Sequence, residues 1–148
     1  MISPHGATEL QPLYVDDKAQ RESLLKEAEG LPSLLVSSLT ATVAVMMGGG
    51  YFTPLKGYMN VTDALSIADT MKLPSGLFWP VPFMNITKSE QLSSALKGAK
   101  TIALRDPNVD GTPVLAIQDI EAIETITEDQ INHITEKIFR TNDTNHPG

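Results

Sequence analysis

The sequence predicts an α+β domain: a bent, mainly antiparallel, barrel-like sheet accompanied by several short helices. Three observations carry that reading. The runs "KTIALRD" and "PVLAIQDIEAIETI" flank "PNVDGT", whose Asp110-Gly111 pair is a strong hairpin signal. Segments with helical periodicity are brief and carry their own start and stop residues. Strands and helices do not alternate regularly, as a parallel sheet with crossover helices would require.

Taken in order, "VDDKAQRESLLKEAEGLP" reads as a helix capped by Asp16 or Asp17, with Leu24, Leu25 and Ala28 on one face and Gly30 and Pro32 as its stop. "SLLVS" suits a short buried strand. "LTATVAVMM" fits a buried helix or a strand; helix is favoured, because Ser37 or Ser38 can cap it and the glycines beyond supply a left-handed terminus. Asn60 opens "VTDALSIADTM", with Asp63 in the first turn and Ala64, Ile67, Ala68 and Met71 as the inward set. "PSG" at 74–76 is a turn. The two prolines in "LFWPVPFMNI" place that extended run at a sheet edge or bulge. Thr87 and Glu90 form a capping-box pattern ahead of "SEQLSSALKG", which Gly98 ends. The two hairpin strands should pair antiparallel, and the apolar face of the second changes sides near Gln118, where a bulge is expected. Thr127 and Gln130 make a second capping box for "EDQINHITEKIFR", with an Ile131, Ile134, Ile138 stripe. The tail "TNDTNHPG" is polar and expected to be loose. With no internal repeat and no low-complexity linker, residues 1–148 are expected to form one domain.

Composition narrows the function. A chain of 148 residues can bury roughly 70% of the surface its unfolded form exposes, so no staple is required. There is no cysteine, which excludes disulfides and thiolate metal sites. No apolar run approaches the ~20 residues of a membrane span, the opening "MISPHGATEL" lacks the basic and apolar regions of a signal peptide, and a cytoplasmic location is expected. Eleven basic against eighteen acidic residues give a net charge of −7, which opposes binding to a phosphate backbone; no nucleic-acid partner is expected.

The conspicuous motif is "MMGGGYFTPLKGYM". A Walker loop needs Gly-Lys-Ser or Gly-Lys-Thr, and a dinucleotide fingerprint needs a glycine opening a helix; Tyr51, Phe52, Thr53 and Pro54 follow Gly48, Gly49 and Gly50 instead. The expected role is a helix stop and a tight turn involving Gly48, Gly49, Gly50, Phe52, Pro54 and Gly57, in preference to a phosphate cradle. His5 is expected to fix a terminal loop, and His133 to be an exposed helix residue. His5, His133 and His146 are too dispersed to suggest a metal site. Arg105 is expected to pair locally with Asp106. Trp79 and Phe83 are candidates for an interface, and the segments 46–59 and 78–83 for an apolar surface covered by a partner.

The order of "SPHG", "EAEGLPSLLVSS", "VMMGGGYFTPLKGYMNVTDA", "GLFWPVPF", "IALRDPNVDGTPVLAIQDIEAI" and "RTNDTNHPG" resembles the N-terminal domain of ATP sulfurylase (sulfate adenylyltransferase), in the form found in sulfur-oxidising bacteria. The resemblance spans essentially the whole chain. It implies a PUA-like fold, a role in sulfur metabolism as part of a nucleotidyltransferase, and a structural use for the glycine segment. The family's catalytic motifs, Gln-Thr-Arg-Asn-Pro with His-x-x-His and Gly-Arg-Asp-His, do not occur here, so no catalytic, nucleotide-binding or metal residue is assigned. By the same resemblance, Mg-ATP belongs to the full-length enzyme and not to this chain, and the partners are the catalytic domain, in the same or a separate chain, and other copies in a homo-oligomer. A stand-alone PUA-like module that binds a protein partner is the rival reading.

Overall fold

A computed structural model describes residues 2–143, 145 and 146. The chain divides into two compact units: Met1–Gly57 with Asn85–Ile123, and Tyr58–Met84 with Glu124–Gly148.

In the first unit, α1 (Lys18–Glu29) starts where the Asp17 carboxylate accepts from the Gln20 amide at 2.7 Å, and Gly30 closes it. Its buried contact is Ala28; Leu24 is half-buried and Leu25 exposed. β1 (Ser33–Leu35) follows, buried only at Leu34. α2 (Ser38–Gly48) is helical as favoured, with Ser37 as its cap. A 3-10 turn at Ser89–Gln91 and the five-residue α4 (Ser94–Gly98) lead into β2 (Thr101–Arg105) and β3 (Val114–Asp119). The expected Thr87–Glu90 box does not form. Thr87 instead donates to the Gln91 side chain at 2.7 Å, and Ser93 caps α4 by accepting from the Leu96 amide, because the segment breaks into two short helices.

The sheet order is β1-β2-β3, with β1 parallel to β2 (Ser33 opposite Ala103) and β2 antiparallel to β3 (Thr101 opposite Asp119). Among the described residues the sheet is therefore mixed and open, and the expected barrel does not close. Residues beyond Asp119 leave the ladder after one last bond from the Ile120 amide to the Lys100 carbonyl, 2.7 Å, and in the second unit the proline-containing run after Gly76 forms the isolated bridge Lys72–Phe78. The irregularity lies earlier than expected: Leu104 pairs with Ala116 and Arg105 with Val114, so Leu115 is the extra residue, not Gln118. α1 packs on β2 and β3 and α2 on β3, around Leu34, Val43, Met47, Ile102, Ala103 and Leu104.

In the second unit, α3 (Val61–Thr70) packs against α5 (Glu128–Phe139). Asn60 caps α3, and the Thr127–Gln130 capping box starts α5. Ala64, Ile67, Trp79, Met59 and Ile134 form the core. Met71, expected to point inward, terminates α3 in a left-handed conformation and is half exposed. Asp143 accepts from the Asn145 amide and side chain, which holds its carboxyl below the usual range. The rest of the tail expected to be loose includes Thr144, Pro147 and Gly148, which lie outside the described residues.

Candidate functional site

The glycine segment terminates α2 and folds back under the N-terminal strap. Three consecutive amides are committed to the helix end: Gly49 donates to Val45 (3.0 Å), Gly50 to Met47 (2.9 Å) and Tyr51 to Met46 (3.0 Å). A phosphate cradle needs those donors free and directed at one anion. Here they are spent on carbonyls. The carbonyl of Gly48 in turn accepts from the Leu13 and Tyr14 amides at 2.9 and 3.1 Å, fastening the strap to the turn.

Gly50 adopts φ +78°, and a Cβ there would meet the Pro12 nitrogen at 3.1 Å and its Cα at 3.3 Å. A Cβ on Gly49 would strike the Tyr51 ring at 2.9 Å, whereas one on Gly48 or Gly57 would meet nothing within 4 Å. Thr53, nearly fully buried, accepts from the Gln11 amide (3.0 Å) and donates to the Gly50 carbonyl (2.7 Å). A cis Thr53-Pro54 bond follows, and the Leu55 amide returns to the Phe52 carbonyl at 2.7 Å. Phe52 and Pro54 are half-buried.

Trp79, an interface candidate, is 7% exposed and meets Phe83 edge-to-face at 6.1 Å. The Trp79 amide donates to the Met71 carbonyl, and the Met59 amide to the Phe83 carbonyl; Trp79 is buried in its own unit and Phe83 is half-buried. Phe78 beside it is half exposed. His133, expected to be an exposed helix residue, is on α5 and half-buried, and bonds through Nε2 to Asp69 Oδ1 at 2.8 Å, tying α5 to α3. Asp106 does not serve Arg105; its Oδ1 accepts from the Asn108 amide (2.8 Å) and side chain (3.0 Å), shaping the hairpin turn.

Lys137 and Arg140, one turn apart at the end of α5, line the same cavities of the second unit, with His133 and Glu136 beside them in one. Arg21 is turned to the Val15 carbonyl, Arg105 lies in β2 and Arg140 ends α5. Among the described residues no group of three or more His, Cys, Asp or Glu side chains could hold a metal ion, and no helix is long and apolar enough to cross a membrane. A cavity of about 350 Å³ in the second unit is lined by apolar Ile67, Met71, Pro80 and Ile138 and by Asp69, Lys137 and Arg140. It mixes both charges with apolar walls, and the Asp69 at its lining is already bonded to His133.

A family model described as a PUA-like domain matches residues 2–148. The chain belongs to the PUA-like domain family. This PUA-like domain is 54% identical over all 148 residues to a sulfate adenylyltransferase of Alcanivorax borkumensis and 49% identical to one of Allochromatium vinosum, covering 36% of each. It is 45% identical to that of the Riftia pachyptila sulfur-oxidizing endosymbiont, covering 33%. The chain thus spans about a third of the length of these curated relatives, in their N-terminal region. Among solved structures it is similar to a hexameric APS kinase from Thiobacillus denitrificans, with TM-score 0.69 and 29% identity over 86% of this chain and 24% of that one.

The sequence did not reveal the strap as the partner of the glycine turn, nor the His133–Asp69 link. A glycine at the end of an apolar helix signals a left-handed residue, but nothing in the sequence says which distant segment will lie against it.

Proposed function

We propose that this PUA-like domain is the N-terminal structural domain of a sulfate adenylyltransferase, whose reaction centre lies in another part of that enzyme. The observation that carries the reading is identity of 54% over the full 148 residues to a protein three times as long that bears that name. The enzyme converts ATP and sulfate to adenosine 5′-phosphosulfate and pyrophosphate, or runs the reverse. Either direction brings two anions together and requires clustered cations to hold them. The glycine amides are consumed by the helix end, so the glycine segment offers no cradle for the phosphates of Mg-ATP. In this reading the nucleotide and magnesium belong to the catalytic domain, and the glycine segment is structural: Gly49, Gly50, Phe52 and Pro54 serve packing, while Gly48 and Gly57 stand in open space. The catalytic domain is the principal partner, in a homo-oligomer in the cytoplasm.

The test is ATP formation from adenosine phosphosulfate and pyrophosphate. The purified chain alone should produce none, and the chain joined to the remaining two thirds of the Alcanivorax borkumensis enzyme should produce ATP. A rate that followed the isolated chain through purification would overturn the reading.

A further inference from the structure

From Gly30 to Leu55 the sequence contains no Asp, Glu, Lys, Arg or His, in a chain whose net charge is −7. α2 lies wholly within that interval. A helix apolar around its whole circumference is normally buried on every side. Here one side is buried, through Thr40, Ala41, Val43 and Met47, while Leu39 is 74% and Val45 58% exposed, Thr42 is exposed and Met46 is half-buried. Tyr51 extends the bare side: its ring lies 2.9 Å from where a Gly49 Cβ would be, and it is 74% exposed.

We propose that the outer face of α2, comprising Leu39, Thr42, Val45, Met46 and Tyr51, is the surface on which the rest of the sulfate adenylyltransferase chain docks. This rests on the reading above. The occupant follows from length: in the relatives, this region is 36% or less of one polypeptide, so the remaining two thirds is held nearby at high effective concentration. A second copy would have to offset the full loss of translational and rotational freedom on association. The face also suits a fixed contact, since it offers an apolar patch with an aromatic anchor and no charge to desolvate. Trp79 and Phe83 are not part of it.

The absence of cysteine makes this directly measurable. Leu39→Cys and Val45→Cys variants, with Ser23→Cys on α1 and Phe78→Cys as comparison sites, are labelled with a maleimide and read by peptide mass spectrometry. Each is measured in the isolated chain and in the chain joined to the remainder of the Alcanivorax borkumensis enzyme. Labelling at 39 and 45 should slow about tenfold or more in the joined chain, with Ser23→Cys unchanged, because a closed face reacts only when it opens. Unchanged rates at 39 and 45 with protection at 78 would overturn the assignment of this face while leaving the domain reading intact. No protection at any position would overturn the docking proposal, while ATP formation by the same joined chain decides the domain reading separately. Slowing of the isolated chain with its own concentration would make a second copy the occupant and overturn the proposal.

Discussion

The backbone nitrogen of Pro12 lies 3.1 Å from the position a Cβ on Gly50 would occupy, and Gly50 is itself left-handed at φ +78°. Two independent costs therefore attach to any side chain there: the strained conformation and a clash with backbone that cannot rotate away. Gly50→Ala should destabilise the first unit by about 1–3 kcal/mol. Gly48→Ala, inside α2 with open space around it, should instead be neutral or stabilise by up to about 1 kcal/mol, as alanine does in helices. Urea denaturation of the two variants checks the contrast; equal effects would show that the strap does not press on the turn.

Thr53 holds the same strap through its hydroxyl. Valine fills the same volume but can neither accept from the Gln11 amide nor donate to the Gly50 carbonyl. Thr53→Val should cost about 1–3 kcal/mol, the range for leaving buried polar groups unpaired. Hydrogen exchange gives the local readout. The Gln11 amide should lose protection while the amides of β2 exchange as before, apart from any global loss of stability.

Much of the local structure was legible because it depends on neighbours in sequence. Asp17, Ser37, Asn60 and Thr127 each cap the helix they precede, and Asp110-Gly111 sits in the turn between antiparallel strands. What escaped depends on distant partners. Closure of a barrel requires every edge to find a strand, and the edges of the β1-β2-β3 sheet are not joined to each other. The Leu115 bulge is set by pairing with Leu104 and Arg105, which alternation within one strand does not encode. The aromatic run around Trp79 was equally ambiguous: one exposed ring, Phe78, adjoins one buried ring, and composition does not say which side faces the core.

His133 is another such case. On helical spacing alone it falls beside exposed residues, yet its Nε2 reaches Asp69 Oδ1 across the α3–α5 contact at 2.8 Å, both side chains being partly exposed. Solvent screening keeps such a pair modest. A double-mutant cycle with His133→Ala and Asp69→Ala should return a coupling of about 0.2–1 kcal/mol at pH 7. A coupling indistinguishable from zero would mean that apolar packing through Ile67 and Ile134 alone joins the two helices.

Tyr58 provides a pH signature for the second unit. Burial disfavours its phenolate and pushes its pKa up to about 12 from 10.0. A folded-state pKa above the unfolded value means that the folded protein holds the proton more tightly. The associated stability is fully present below pH 10 and is lost as pH rises toward 12. Absorbance titration should therefore show a tyrosinate component with a midpoint near 12 that Tyr58→Phe removes, and the variant's unfolding midpoint should fall less steeply between pH 10 and 12 than that of the wild type. A titration unchanged by Tyr58→Phe in that window would place the phenol in water rather than in a half-buried position.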